Sequence, residues 1–201
     1  MRTRVAAFLA LAFLVTVSWT GQAEAQVPWD APSLRPPGNP SGLGIYLLDS
    51  GASDTGVLMT YQRPGTFGFR LGLVDGPGRD NSTVLGGVEF SGPISHAGAD
   101  SRLLIDWVAG VGAGLGDFTI VSVPFGLTVG GTFQGDGASF TPWIGAKLVL
   151  DGYFGDQYAG DDTDLNVGVD LGIDLKFTEG WLVRVGASLA DRDAIAIGIV
   201  F

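Results

Sequence analysis

Asp193-Ala194-Ile195-Ala196-Ile197-Gly198-Ile199-Val200-Phe201 ends the chain and decides its fold. In an extended strand, successive side chains point to opposite faces. Ile195, Ile197, Ile199 and Phe201 therefore share one face, and Ala194, Ala196, Gly198 and Val200 share the other. In water such a strand is an exposed, aggregation-prone edge. It makes sense where it closes a barrel whose outer face meets lipid.

The same alternation runs upstream for most of the chain, and no helical stripe interrupts it. It predicts strands at 42–49, 54–63, 66–75, 82–91, 102–113, 118–133, 139–151, 164–177, 180–189 and 193–201. One face of these is apolar throughout, as in Leu43-Ile45-Leu47, Phe67-Phe69-Leu71-Leu73, Val121-Val123-Phe125-Leu127-Val129 and Leu165-Val167-Val169-Leu171-Ile173. The other face carries glycines (Gly68, Gly72, Gly110, Gly112, Gly126, Gly168, Gly172, Gly186) and the mid-strand charges. A soluble lipocalin-like barrel would alternate in the same way with its apolar face inward. Its water-facing surface would then be mostly Gly and Ala with sparse charge, whereas soluble surfaces are rich in charged residues. The expected fold is thus all-β: a transmembrane antiparallel up-and-down barrel of ten strands, with eight the alternative because 42–49 is short.

Composition agrees. Only 16% of the 201 residues are charged while 33 are Gly, which suits a greasy outside and a small-residue inside. Residues 1–25 read as a cleavable signal peptide. Arg2 and Arg4 form the basic start, Val5 to Val17 the apolar core, and Ala23-Glu24-Ala25 the cleavage site. Without Arg2, Arg4 and Glu24, the formal charge goes from −10 to −11. No basic patch exists to neutralise phosphates, so nucleic acid is not an expected partner. The absence of Cys removes disulfides and thiolate metal sites. Residues 26–41 hold five prolines without periodicity and read as a flexible periplasmic lead-in; the barrel is expected over 42–201.

If both termini lie on one side, Tyr61, Phe67, Phe90, Phe133, Phe140, Phe177, Trp181 and Phe201 fall at one rim, forming an aromatic girdle at a membrane interface. Pro64-Gly65 and Thr178-Glu179-Gly180 are tight turns on that side. The longest loop, Gly152 to Thr163, lies on the other, and Gly92 to Ser101 forms a long connection at the terminal side. With these features the chain resembles a small bacterial outer-membrane β-barrel protein of the OmpA, OmpX and OmpW sort. The likeness covers roughly residues 42–201 and the signal peptide. It implies an outer-membrane location, contact with membrane lipid and lipopolysaccharide, and handling by the barrel-insertion machinery. Gly198 and Phe201 match the assembly signal of that class, with Ile199 where an aromatic is common. An architecture assigns no activity.

Eight charges point inward: Arg70, Glu89, Asp106, Lys147, Asp170, Asp174, Lys176 and Arg184. Unpaired buried ions are costly, so these form either an interior ionic network or the lining of a narrow pore. Asp170, Asp174 and Arg184, on adjacent strands, are candidates to pair. Asp156, Asp161, Asp162 and Asp164, with Asp151, crowd the longest loop. They are weak metal candidates without EF-hand spacing, and no cofactor is expected. His96, the sole histidine, sits beside Ser95 in a connection, which is not the geometry of an activated nucleophile. Gly110-Val111-Gly112-Ala113-Gly114 lies in a strand and fails the nucleotide-loop pattern. The expected function is a non-enzymatic barrel, structural or surface-interacting with a largely filled interior. A narrow passive channel is the alternative, and a soluble binder comes third.

Overall fold

The computed structural model describes residues 29, 31–38, 42–49, 55–63, 67–75, 82–96, 103–116, 119–154, 162–178, 180–190 and 193–201. The signal segment, residues 1–25, lies outside them. The strands are β1 (Gly42–Asp49), β2 (Thr55–Gln62), β3 (Phe67–Asp75), β4 (Ser82–His96), β5 (Leu104–Leu115), β6 (Thr119–Gly130), β7 (Phe133–Gly135), β8 (Ala138–Phe154), β9 (Asp162–Thr178), β10 (Trp181–Ala190) and β11 (Ala194–Val200). Each barrel strand pairs antiparallel with the next. β6 pairs directly with β8, so the short β7 is only a hairpin extension, turning at Asp136-Gly137 with Gly137 at φ +79°.

β1 and β11 close the ring, giving ten barrel strands in up-and-down order. At the seam Leu43 N donates to Phe201 O at 3.1 Å and Phe201 N to Leu43 O at 2.9 Å. Gly198 faces Tyr46 across this seam. A Cβ at Gly198 would lie 2.2 Å from Ile45 O and 2.5 Å from the Tyr46 ring, so only glycine lets the tyrosine lie flat against the wall.

Three strands run further than the sequence suggests. β4 continues to His96 through an irregularity at Pro93/Ser95, so the first half of the expected connection at Gly92–Ser101 is strand. A bulge accommodates Pro93, which has no N–H for the ladder. Likewise β8 reaches Phe154 and β9 starts at Asp162, shortening the expected long loop to residues 155–161, which are outside those described.

The apolar face points outward. Leu47, Leu73, Phe125, Leu165 and Ile195 are each more than half exposed, as are many of their neighbours in the same rows. The lipocalin-like facing is thereby ruled out. All eight aromatics expected at the rim shared by Gly42 and Phe201, here the terminal rim, are exposed. Phe67 meets Phe90 at 6.0 Å, Phe133 stacks on Phe140 at 5.0 Å, and Phe177 lies 6.4 Å from Trp181. Cross-strand pairing of this kind adds roughly 0.2–1 kcal/mol each. Toward the far rim, Leu48, Leu58, Val74 and Leu85 fill the inside along β1–β4.

Candidate functional site: the barrel interior and its plug

The described part of the lead-in, residues 29 and 31–38, is not a tether outside the barrel. Trp29, Ala31, Pro32, Ser33, Leu34, Arg35, Pro36 and Pro37 are all buried, and wall residues on both sides of the lumen contact them. The segment leaves the terminal rim near Leu104 and Asp106, where Gly38 N donates to Asp106 Oδ2 at 3.3 Å. It then rises to mid-barrel at Trp29. Its proline content predicts flexibility, but proline also suits a chain buried away from any sheet. Each proline removes one backbone donor that would otherwise need a partner.

The remaining backbone groups are met by wall side chains. Lys147 Nζ donates to Trp29 O at 3.1 Å and to Ala31 O at 3.5 Å. Arg70 Nη2 donates to Ser33 O at 2.9 Å, and Ser33 N donates to Asp170 Oδ2 at 3.1 Å. Leu34 O accepts from Gln62 Nε2 at 2.9 Å and from Arg184 Nη1 at 2.6 Å. Leu34 holds φ +53°, a left-handed conformation costing roughly 1–2 kcal/mol for an L-residue. That conformation presents its carbonyl to two donors at once.

The inward glycines now have a purpose. Built Cβ atoms at Gly110 and Gly112 would come within 3.0 Å of the Trp29 indole, with Gly87 close behind at 3.4 Å. At Gly186 a Cβ would meet Leu34 Cδ2 at 2.9 Å and Pro32 Cβ at 3.2 Å. At Gly130 it would lie 3.0 Å from Pro37 Cγ, and at Gly68 2.9 Å from Arg35 Nη1. These glycines form a seat shaped to Trp29, Pro32, Leu34, Arg35 and Pro37. A cavity of about 20 Å³ remains between Trp29, Ser33, Lys147 and Asp170, room for about one water.

Seven of the eight expected interior charges are buried inside: Arg70, Glu89, Asp106, Lys147, Asp170, Asp174 and Arg184. Arg184 and Asp174 are directly opposed on β10 and β9 and form a bidentate pair, Nε–Oδ1 and Nη2–Oδ2 both 2.7 Å. The Arg184 guanidinium also reaches Gln62 Oε1 at 3.2 Å and Tyr46 Oη at 3.4 Å. Arg70 Nε donates to Glu89 Oε1 at 2.6 Å while its guanidinium stacks 3.8 Å from the Trp29 ring. Asp170 takes Lys147 Nζ at 3.0 Å and the Ser188 hydroxyl at 2.8 Å.

Lys176 is the exception: it is exposed near the terminal rim, because β9 runs on past the buried layer. Conversely Asp151, grouped with the acidic residues of the longest loop, is fully buried, accepting from Ser122 Oγ at 2.5 Å and Asn166 Nδ2 at 2.8 Å. Its inward position follows from the alternation along β8, in which Leu150 points outward. Of the weak metal candidates, Asp164 is exposed, Asp162 begins β9, and Asp156 and Asp161 lie outside the described residues. No group of three metal-ligating side chains comes together among the described residues. His96 ends β4, paired in register with Leu104.

No family model matches the chain, and no curated protein is similar to it. Among solved structures, "KdgM porin in complex with disordered oligogalacturonate" aligns over 79% of this chain and 96% of its own. The identity is 10% and the TM-score 0.40. A second structure, "KdgM porin", aligns over the same shares at 10% identity and a TM-score of 0.32. Likeness at this level carries no argument about activity, and it does not bear on OmpA, OmpX or OmpW.

The plug residues were missed because they lack strand periodicity. A signal was present all the same: Trp29, Leu34 and Arg35 are large side chains among prolines, upstream of a barrel whose inner face is rich in glycine.

Proposed function

We propose that this protein is a bacterial outer-membrane barrel that performs no catalysis. In this reading it has a structural or surface-interaction role and a lumen filled by its own N-terminal segment. The observation that supports the membrane location is the facing of the wall. The outward rows are apolar from rim to rim, and the buried ions all lie inside. An apolar belt covering a whole barrel exceeds any patch that a monomeric soluble protein carries. In lipid it is the required surface, and a closed ring leaves no unpaired strand edge there.

Partners in this reading are membrane lipid and lipopolysaccharide on the belt and rims, and the barrel-insertion machinery acting on Gly198 and Phe201 during assembly. Export follows from the signal peptide expected at residues 1–25. The filled interior supports the structural role over open passage, since the plug and the ion pairs occupy mid-barrel and the cavity between Trp29, Ser33, Lys147 and Asp170 holds about one water. Cell fractionation and gel mobility test this. The protein should be recovered with the outer membrane and migrate differently before and after heating. Recovery as a soluble periplasmic protein would contradict it.

A further inference from the structure

The geometry points to a latent channel: residues 29 and 31–38 are a displaceable plug, and the lumen they vacate passes small cations. This rests on the membrane-spanning reading above and adds an activity that the filled state conceals.

The first support is that the wall does not need the plug to pair its ions. Arg184–Asp174, Arg70–Glu89 and Lys147–Asp170 each join two wall strands. What the plug takes from these cations is mainly hydrogen bonding to neutral backbone carbonyls, which water replaces at little cost. Departure of the plug therefore leaves these three pairs intact, and Asp106 exchanges the Gly38 N–H for water.

The second support is that the plug itself is imperfectly held. Arg35 is 1% exposed, yet none of its guanidinium nitrogens has a hydrogen-bond partner among the described residues. Its ionic contact is with Glu89 at 3.7 Å, a carboxylate already bound to Arg70. A buried cation so placed is costly and is relieved by return to water. Leu34 in its left-handed conformation is relieved by the same movement.

The third support is the shape left behind. Bulky Leu48, Leu58, Val74 and Leu85 crowd one side of the lumen. Beside that cluster, β4 and β5 offer Gly87, Gly110 and Gly112, whose space Trp29 occupies. Withdrawal of the plug leaves this glycine-lined space as the passage.

The charge of that passage sets its preference. Buried inward side chains of the wall include three basic groups, Arg70, Lys147 and Arg184. They include five acidic ones, Glu89, Asp106, Asp151, Asp170 and Asp174. With Arg35 gone, the lining has an acidic excess, and acidic linings favour cations.

The test uses the full chain carrying Trp29→Ala to loosen the plug, plus Pro32→Cys and Gly186→Cys to tether it. The built Gly186 Cβ is 3.2 Å from Pro32 Cβ, a few tenths of an ångström inside the usual disulfide range of about 3.5–4.5 Å. The chain has no other thiol. Heat-modifiable mobility in the same vesicles reports insertion, and planar-bilayer recording follows before and after reduction.

The oxidised protein should be silent. After reduction, steady currents should appear with a reversal potential displaced toward that of potassium in a KCl gradient, and reoxidation should abolish them. Inserted protein that is silent in both states, currents indifferent to reduction, or anion preference would overturn the proposal. Failure to insert would instead overturn the membrane reading on which it rests.

Discussion

Replacing Arg184 with alanine is the sharpest perturbation of the interior. The side chain is fully buried and holds Asp174 through two 2.7 Å contacts. It also donates to Leu34 O at 2.6 Å and Gln62 Oε1 at 3.2 Å. Its removal leaves a carboxylate that is itself 2% exposed without its cation, and costs the plug one of the two donors to Leu34 O. Breaking a buried pair by deleting one partner costs about 3–5 kcal/mol. A neutral buried acceptor left short of a donor adds about 1–3 kcal/mol unless water enters. Lys176→Ala, at an exposed position on β9, should stay within about 0.5 kcal/mol. Urea unfolding of the refolded barrel in detergent, followed by loss of the compact gel form, measures both. The double variant Arg184→Met/Asp174→Leu should recover most of the loss, because the charge and its counterion leave together. If Arg184→Ala is no more destabilising than Lys176→Ala, water reaches the pair and the interior is not packed as described.

Gly186→Val should destabilise by about 1–3 kcal/mol through overpacking against Leu34 and Pro32, and Leu34→Ala should restore part of that loss in the same unfolding assay. Val167→Arg puts a charge on the outward face of β9, where Val167 is 48% exposed. In vesicles this should cost roughly 2–4 kcal/mol near the bilayer midplane; an equally stable variant would contradict the facing. Phe201→Asp should lower the amount of protein recovered in the outer membrane well beyond its effect on the stability of refolded barrel, measured side by side.

How much of this was legible in the sequence differs between wall and plug. The wall reads directly because a period of two assigns each strand residue between Leu43 and Phe201 to a face, and the composition of the faces differs sharply. That is enough to expect ten strands, outward Ile195, Ile197 and Ile199, the aromatic rim and a pairing of Arg184 with Asp170 or Asp174, of which the structure takes Asp174. Strand ends are less legible. Gly92-Pro93 and the Asp/Gly residues after Leu150 have turn chemistry, yet pairing with β5 and β9 carries both strands onward. Asp151 is an interior residue by the alternation along β8, while Lys176 falls near the rim. The plug has no periodicity at all. Its place is fixed by contacts more than a hundred residues away, such as Lys147 with Trp29 and Arg184 with Leu34. Those contacts are invisible until the wall is closed.

The central claim is that residues 29 and 31–38 lie inside a closed barrel rather than outside it. Thiol labelling tests this most directly, because the chain has no cysteine of its own. Ser33→Cys is a mild change, since Ser33 is 6% exposed and its hydroxyl has no hydrogen-bond partner among the described residues. Thr132→Cys, at an exposed position on the terminal rim, serves as the accessible control. With a water-soluble maleimide added to folded, membrane-inserted protein, the thiol at position 132 should react promptly. The thiol at position 33 should stay protected until the barrel is unfolded. Equal labelling of the two positions in the folded protein would contradict the account.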